Sequence, residues 1–335
     1  MSRFQAWRIP AAGEEDQGGV ARLETSELPS GDVLIRVAYS AINYKDALAV
    51  TGEGKILRQF PITPGIDAAG VVEASDADSV RPGETVLVTG CGLGEIHDGG
   101  FAEYIRVPAD WVVPVPSEYS ARQAMAVGTA GLTAALAMIR MEDAGQRPER
   151  GDIVVTGASG GVGSVAVDIF SNAGYRVVAV SGKSEAADGL RGLGAAEVVA
   201  PDDLELSQRP LDRARFGGVV DNVGGELLAG LLPHVDDYGN VASIGLAGGT
   251  QLKTTIMPFI LRGVSLLGIS SANCPREMRL EAWRRLGTDL RPTRPEAFVH
   301  DEVGLGELGE ASRALLERRV RGRTLVRLDG EGAAS

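Results

Sequence analysis

The run Ile153-Val154-Val155-Thr156-Gly157-Ala158-Ser159-Gly160-Gly161-Val162-Gly163-Ser164 constrains this chain more than any other. Its four β-branched residues read as a buried strand, its small residues as a tight turn, and the segment from Gly161 to Ala173 as a helix. Against G-x-G-x-x-G the match is Ala158-x-Gly160-x-x-Gly163, with Ala in the first place. Gly160 would let the backbone approach a pyrophosphate, Gly163 would let helix and strand pack closely, and the helix start would aim free N–H groups at the anion. Ser159 adds a hydroxyl. The bland alternative is a strand-to-helix turn that binds nothing.

The surroundings support a dinucleotide site. From about Ser120, helix and strand alternate: a helix over 121–137, strands at 153–156, 176–180, 197–199, 217–220, 240–244 and 264–267, and crossovers between them. Six such strands describe an α/β, doubly wound parallel sheet. Before it, short β-branched runs at 33–37, 70–73, 85–89 and 104–107, separated by Gly, Pro and Asp, read as a largely β domain. A helix near 308–317 and a strand over 323–328 have no place in the parallel sheet and return to that β domain. The expected division is therefore 1–120, 121–290 and 291–335.

The second parallel strand ends in Ser181-Gly182-Lys183-Ser184. A site for NAD usually places an acid there for the ribose 2′-hydroxyl, and an acid would repel a 2′-phosphate. Ser181 and Lys183 can pair with one instead, which points to NADPH. Glu185 is near the acid's spacing but is expected beyond the strand end, as a helix-start carboxylate.

Bulk properties narrow the class. The 335 residues suffice for two cores. No stretch approaches the roughly 18–20 uninterrupted apolar residues of a membrane span, and Met1 to Pro10 lacks signal-peptide regions. The expected location is the cytoplasm, with no membrane partner. A net charge of -12 disfavours nucleic acid and means that an anionic ligand must be met by a local basic site. Two cysteines, Cys91 and Cys274, give no disulfide framework and no Cys-x-x-Cys pair.

The β domain carries Asn43-Tyr44-Lys45-Asp46 and Pro64-Gly65-Ile66-Asp67-Ala68-Ala69-Gly70. Together with the glycine-rich turn they resemble the medium-chain dehydrogenase/reductase superfamily. Zinc alcohol dehydrogenases of that superfamily have Cys in the first motif and Gly-His-Glu in the second. Catalytic zinc needs three protein ligands and structural zinc commonly four thiolates. Two cysteines and the scattered His97, His234 and His300 do not supply them, so no metal site is expected. The resemblance narrows to the quinone-oxidoreductase-like branch and its acrylyl-CoA reductase family. It is carried by Asn43 to Gly52, Gly157 to Ser164, Gly245 to Gly249, Met257 to Arg262 and Gly322 to Val326, across nearly the whole chain.

This resemblance implies a GroES-like β-rich catalytic domain beside a Rossmann domain, and NADPH-dependent reduction of the carbon–carbon double bond of acrylyl-CoA by hydride transfer to its β-carbon. It implies cofactor contacts at Tyr44, Ser159, Gly160, Gly161, Val162, Ser181, Gly182, Lys183, Leu246, Ile260 and Ser270. Glu197 departs from the family, standing where relatives often carry a basic residue. Candidate catalytic groups are Asn43 and Tyr44, as donors to a carbonyl oxygen gaining charge, with cofactor stacking or packing as the alternative for Tyr44; Arg323, as a holder of cofactor or substrate phosphate; and Asp67, orienting Lys45 or the nicotinamide-side network, or capping the turn after Pro64-Gly65. The competing readings are a quinone or general enone reductase with the same cofactor, and a non-catalytic NADPH-binding protein. The apolar run Met257 to Ile260 and the strand after it suggest edge pairing in a homodimer, or simple core burial.

Overall fold

In the computed structural model, which describes residues 2–11, 18–206 and 209–328, the chain begins with a two-stranded antiparallel sheet. Its strands are β1 (Arg3–Arg8) and β2 (Gly19–Glu24). Alternation along β1 turns Phe4 and Ala6 into a small core with Ala102. Strand β3 (Val33–Ile42) is followed by helix α1 (Tyr44–Thr51), then β4 (Asp67–Ser75), β5 (Thr85–Thr89), β6 (Tyr104–Val107) and β7 (Val113–Pro114). Helix α2 (Ala121–Asp143) is interrupted at Gly128, whose φ of 47° and ψ of -149° are not helical.

Next come β8 (Ile153–Thr156), α3 (Gly161–Asn172), β9 (Val177–Val180), α4 (Ala187–Gly192), β10 (Glu197–Val199) and β11 (Phe216–Asp221). They are followed by α5 (Gly225–Leu231), β12 (Val235–Ser243), α6 (Met257–Arg262), β13 (Ser265–Gly268) and α7 (Arg276–Leu286). The chain closes with β14 (Val299–Val303), α8 (Leu308–Leu316) and β15 (Arg323–Arg327).

Two compact units result. The first takes the described residues up to Thr129, Ala272–Trp283 and those from Phe298 onward; the second takes Ala130–Ser271 and Arg284–Ala297. The first unit thus extends past the expected break at 120/121 through the first turns of α2, because Thr129 bonds to Asp67. It also recovers part of α7, where buried Arg279 donates to the carbonyl oxygen of Thr89 at the end of β5. Neither contact has a local signature in the sequence.

The first unit is built on a seven-stranded sheet in the order β14-β15-β3-β4-β5-β7, with β6 also pairing β3. Its core gathers Ile35, Val37, Val72, Val88, Phe101, Ile105 and Val326. The last strand does return here: β15 runs antiparallel to β3, with Thr324 opposite Ile42. In the second unit six parallel strands follow the order β10-β9-β8-β11-β12-β13, with β9 and β10 on one side of β8 and β11 to β13 on the other. The strands β8, β9 and β11 are buried throughout, as strands covered on both faces must be. Helix α2 is long and apolar enough by composition to cross a membrane, but its most apolar window is 83% buried in the fold. It is a core helix.

Candidate functional site

The candidate side chains fall into two groups, one in each unit. In the first unit, the register of β15 beside β3 brings Arg323 next to Asn43, and β4 starts at Asp67. Asn43 Nδ2 donates to Asp67 Oδ2 at 2.9 Å and to Asp46 Oδ2 at 3.0 Å. Arg323 Nη1 donates to Asn43 Oδ1 at 2.7 Å, and Nη2 to Asp67 Oδ2 at 3.1 Å. The other Asp67 oxygen accepts from the Thr129 hydroxyl at 2.6 Å. A Cβ on Gly128 would stand 2.7 Å from Arg323 Nη2 and 2.8 Å from Asp67 Oδ2, so the backbone can approach the pair only as glycine.

Three of the four catalytic candidates therefore meet in one network. Its hydrogen bonds use both the oxygen and the nitrogen of the Asn43 amide, and Asp67 and Arg323 are almost fully buried. Tyr44, the first residue of α1, points out of it and is 45% exposed. Lys45 does not bond to Asp67; its ammonium pairs with Glu95 at 2.9 Å.

Asp46 completes the network. It accepts from the Asn43 backbone N–H at 2.9 Å, forming a capping box at the start of α1, and from the Ile66 N–H at 2.9 Å. Burial pushes its carboxyl up to about 7; the donors from Asn43 and Ile66 oppose this, and the Asp67 charge adds to it. The Asn43-x-x-Asp46 spacing was a readable capping signal. Thr129 had none, because its role depends on tertiary contact alone.

In the second unit, β8 turns at Gly157 (φ 57°) into α3, whose N-cap is Gly160 with no side-chain cap. The first N–H groups of a 12-residue helix are thus not consumed by a capping side chain. Gly163 is required for packing: a Cβ there would lie 2.3 Å from the Gly157 carbonyl oxygen. At Gly160 a Cβ would meet only that oxygen, at 3.3 Å, and at Gly182 nothing within 4 Å, so open space lies over both.

The Ser181 hydroxyl donates to Ser159 Oγ at 3.0 Å and accepts from the Lys183 N–H at 3.1 Å, joining the ends of β8 and β9. Leu246 and Ser270 follow the carboxyl ends of β12 and β13, and both are exposed. Thus Ser159 to Val162, Ser181 to Lys183, Leu246 and Ser270 all follow carboxyl ends of the parallel strands, the edge where doubly wound sheets take ligands. Ile260 is exposed too, on α6, ahead of β13 rather than at a strand end. Glu185 lies in a short 3-10 turn beyond β9. Glu197 starts β10 and pairs with Arg176 at 3.3 Å, at the opposite, amino end of its strand.

Buried Asp221, at the end of β11, was not anticipated. It accepts from the Thr156 hydroxyl at 2.7 Å and the Gly224 N–H at 2.8 Å, tying together the two strands between which the chain order reverses. Burial raises its carboxyl above the usual range.

Comparison with known proteins agrees with both units. Residues 29–117 match the alcohol dehydrogenase GroES-like domain, and residues 161–287 the zinc-binding dehydrogenase family. The Escherichia coli protein named "Probable acrylyl-CoA reductase AcuI" is 48% identical over 329 residues, 97% of this chain and 100% of its own. The solved structure of the Salmonella enterica YhdH oxidoreductase in complex with NADP matches with a TM-score of 0.92 and 46% identity, over 97% of this chain and 100% of that one. Bacillus subtilis protein YhfP, solved with NAD bound, matches with a TM-score of 0.94 and 44% identity, over 98% and 100%.

The second family's name refers to zinc, and the side chains present do not fit one. Among the described residues no three His, Cys, Asp or Glu side chains converge as ligands. Asp67 is committed to Arg323 and Thr129, and His97 Nδ1 to the Asp98 carbonyl oxygen.

Proposed function

Because the chain belongs to the medium-chain dehydrogenase/reductase family, we propose that it is an NADPH-dependent reductase of the carbon–carbon double bond of acrylyl-CoA, giving propanoyl-CoA. The observation that carries this is the 48% identity, over the full length of the relative, to a protein named as an acrylyl-CoA reductase. The second unit suits the cofactor: Gly160 and Gly182 leave open space above the β8 and β9 ends, and Ser181 and Lys183, just after β9, carry a hydroxyl and an ammonium of the kind that pairs with a 2′-phosphate. No carboxylate ends β9, which favours NADPH over NADH. Bound NADPH supplies the hydride for the β-carbon of the enoyl thioester.

The chain's own residues then have distinct tasks. Ser159 to Val162 and Ser181 to Lys183 hold the phosphates, while Leu246, Ile260 and Ser270 flank the rest of the dinucleotide. Tyr44, the exposed member of the first unit's group, contacts the cofactor and donates a hydrogen bond to the thioester oxygen as charge develops there. Asn43, Asp67 and Arg323 act through the network that fixes the start of α1, and hence Tyr44. Protonation of the resulting thioester enolate at its α-carbon completes the reduction.

The working form is a cytoplasmic homodimer. Leu266 on the edge strand β13 and Ile256, Ile260 and Leu261 in and beside α6 are exposed apolar groups, which pairing of two β13 edges would cover. The test is a panel of initial rates at 340 nm, with NADPH or NADH against acrylyl-CoA, crotonyl-CoA, a benzoquinone and a simple enone. The reading expects acrylyl-CoA with NADPH to be fastest. Faster quinone or enone turnover would leave only the scaffold in common, and NADPH binding without turnover would mark a non-catalytic binder.

A further inference from the structure

Lys55 and Arg58 lie in the segment 52–63 that follows α1; both are exposed, and neither side chain has a hydrogen-bond or ion-pair partner among the described residues. Nearby Lys45, by contrast, is already paired with Glu95. The segment is anchored by its backbone. The Gly54 N–H donates to the Leu48 carbonyl oxygen at 3.3 Å, and the Arg58 N–H to the Glu95 carbonyl oxygen at 2.9 Å. Glu95 thus holds the Lys45 side chain with its carboxylate and the Arg58 backbone with its carbonyl, which sets Arg58 close to the first turn of α1, where Tyr44 stands. Phe60, two residues after Arg58 in the same segment, and Ile96, next to Glu95, are exposed as well, at 47% and 55%.

Unpaired cations on an anchored backbone, with an exposed aromatic ring in the same segment, suit a ligand that combines phosphates with a flat base. The chain's net charge of -12 makes such a place necessary for any polyanionic substrate. At physiological salt the repulsive field is screened beyond about 8 Å, so cations at contact range decide recognition.

We propose that Lys55, Arg58 and Phe60 form the subsite for the 3′-phosphoadenosine diphosphate end of the CoA thioester, with the two cations on its phosphates and the Phe60 ring against its adenine. This rests on the acyl-CoA reading above and adds to it the place where the nucleotide end docks, remote from the reacting double bond.

The test uses the full chain loaded with NADPH, comparing wild type, the double variant Lys55→Ala/Arg58→Ala, Phe60→Ala, and Arg81→Ala as a control that removes one exposed charge elsewhere. Each is given acrylyl-CoA and the truncated thioester S-acrylyl-N-acetylcysteamine, which lacks the phosphates and adenine, and free CoA is titrated by calorimetry. The double variant is expected to raise KM for acrylyl-CoA and weaken CoA binding about tenfold, a loss of about 1.4 kcal/mol. Its kcat, its KM for NADPH and its rate with the truncated thioester stay at wild-type values, as does everything in Arg81→Ala.

Equal losses on both thioesters, unchanged CoA affinity, a raised KM for NADPH instead, or the same loss in Arg81→Ala would each overturn the subsite. Wild type that binds CoA through these residues yet reduces neither thioester would remove the proposed reaction and leave the subsite standing. Wild type that reduces both thioesters with equal KM would do the reverse.

Discussion

Arg323 and Asp67 form an ion pair at 3.1 Å whose side chains are 3% and 0% exposed, and Asn43 bonds to both partners. Removing either partner leaves the other as an uncompensated buried charge. Arg323→Met or Asp67→Leu alone is expected to cost roughly 3–5 kcal/mol, read as a lower urea midpoint. The double variant is expected to recover much of that loss. A single variant with an unchanged midpoint would show that the pair does not hold this part of the first unit together.

Asp46 sets a pH dependence. Its carboxyl is raised by burial from 3.8 to about 7, so the folded chain keeps a proton that the unfolded chain releases between those values. This contribution to stability is fully present below 3.8 and is lost as pH rises to about 7, with a slope of at most about 1.4 kcal/mol per pH unit. Asp168 and Asp221, also raised by burial, act in the same direction. Urea midpoints from pH 4 to 8 should fall less steeply in Asp46→Asn than in wild type; identical slopes would place the titration elsewhere.

The two glycines of the β8 turn should separate folding from cofactor binding. Gly163→Ala puts a methyl group 2.3 Å from the Gly157 oxygen and is expected to cost about 1–3 kcal/mol of stability. Gly160→Ala meets only one atom at 3.3 Å, so it should fold normally and still lose NADPH affinity, because its methyl group fills the space proposed for the phosphates. Fluorescence titration with NADPH beside thermal melts distinguishes the two.

Tyr44 is exposed, and its hydroxyl makes no hydrogen bond among the described residues, so Tyr44→Phe should leave the melting temperature unchanged. If the hydroxyl stabilises the developing charge, kcat should fall by about 10²-fold. A wild-type kcat in Tyr44→Phe would reduce this residue to a packing contact with the cofactor.

Much of this was legible in the sequence because the signals are local. The β-branched run ahead of Gly157 and the alternating pattern after it gave the parallel sheet, and the strand at 323–328 was recognisable as foreign to that sheet. What escaped depends on distant partners. Strands β1 and β2 stabilise each other across an intervening segment, so neither shows the turn signature of a tight hairpin. Helix α7 has a low mean hydropathy and holds its place partly through Arg279, whose partner Thr89 is 190 residues away. Within the site, Asn43, Asp67 and Arg323 could be named as important residues, but residue types alone did not reveal that they bond chiefly to one another. Only the register of β15 on β3 brings Arg323 to Asn43.

Hydride delivery from NADPH to the β-carbon of acrylyl-CoA is traced by isotope. NADPH deuterated at the transferable C4 position is turned over with acrylyl-CoA in ordinary water, and the propanoyl-CoA is examined by NMR. The expected product carries one deuterium at C3 and none at C2, with one NADPH oxidised per product. Deuterium at C2, product without deuterium, or NADPH left unconsumed would contradict hydride delivery to the β-carbon.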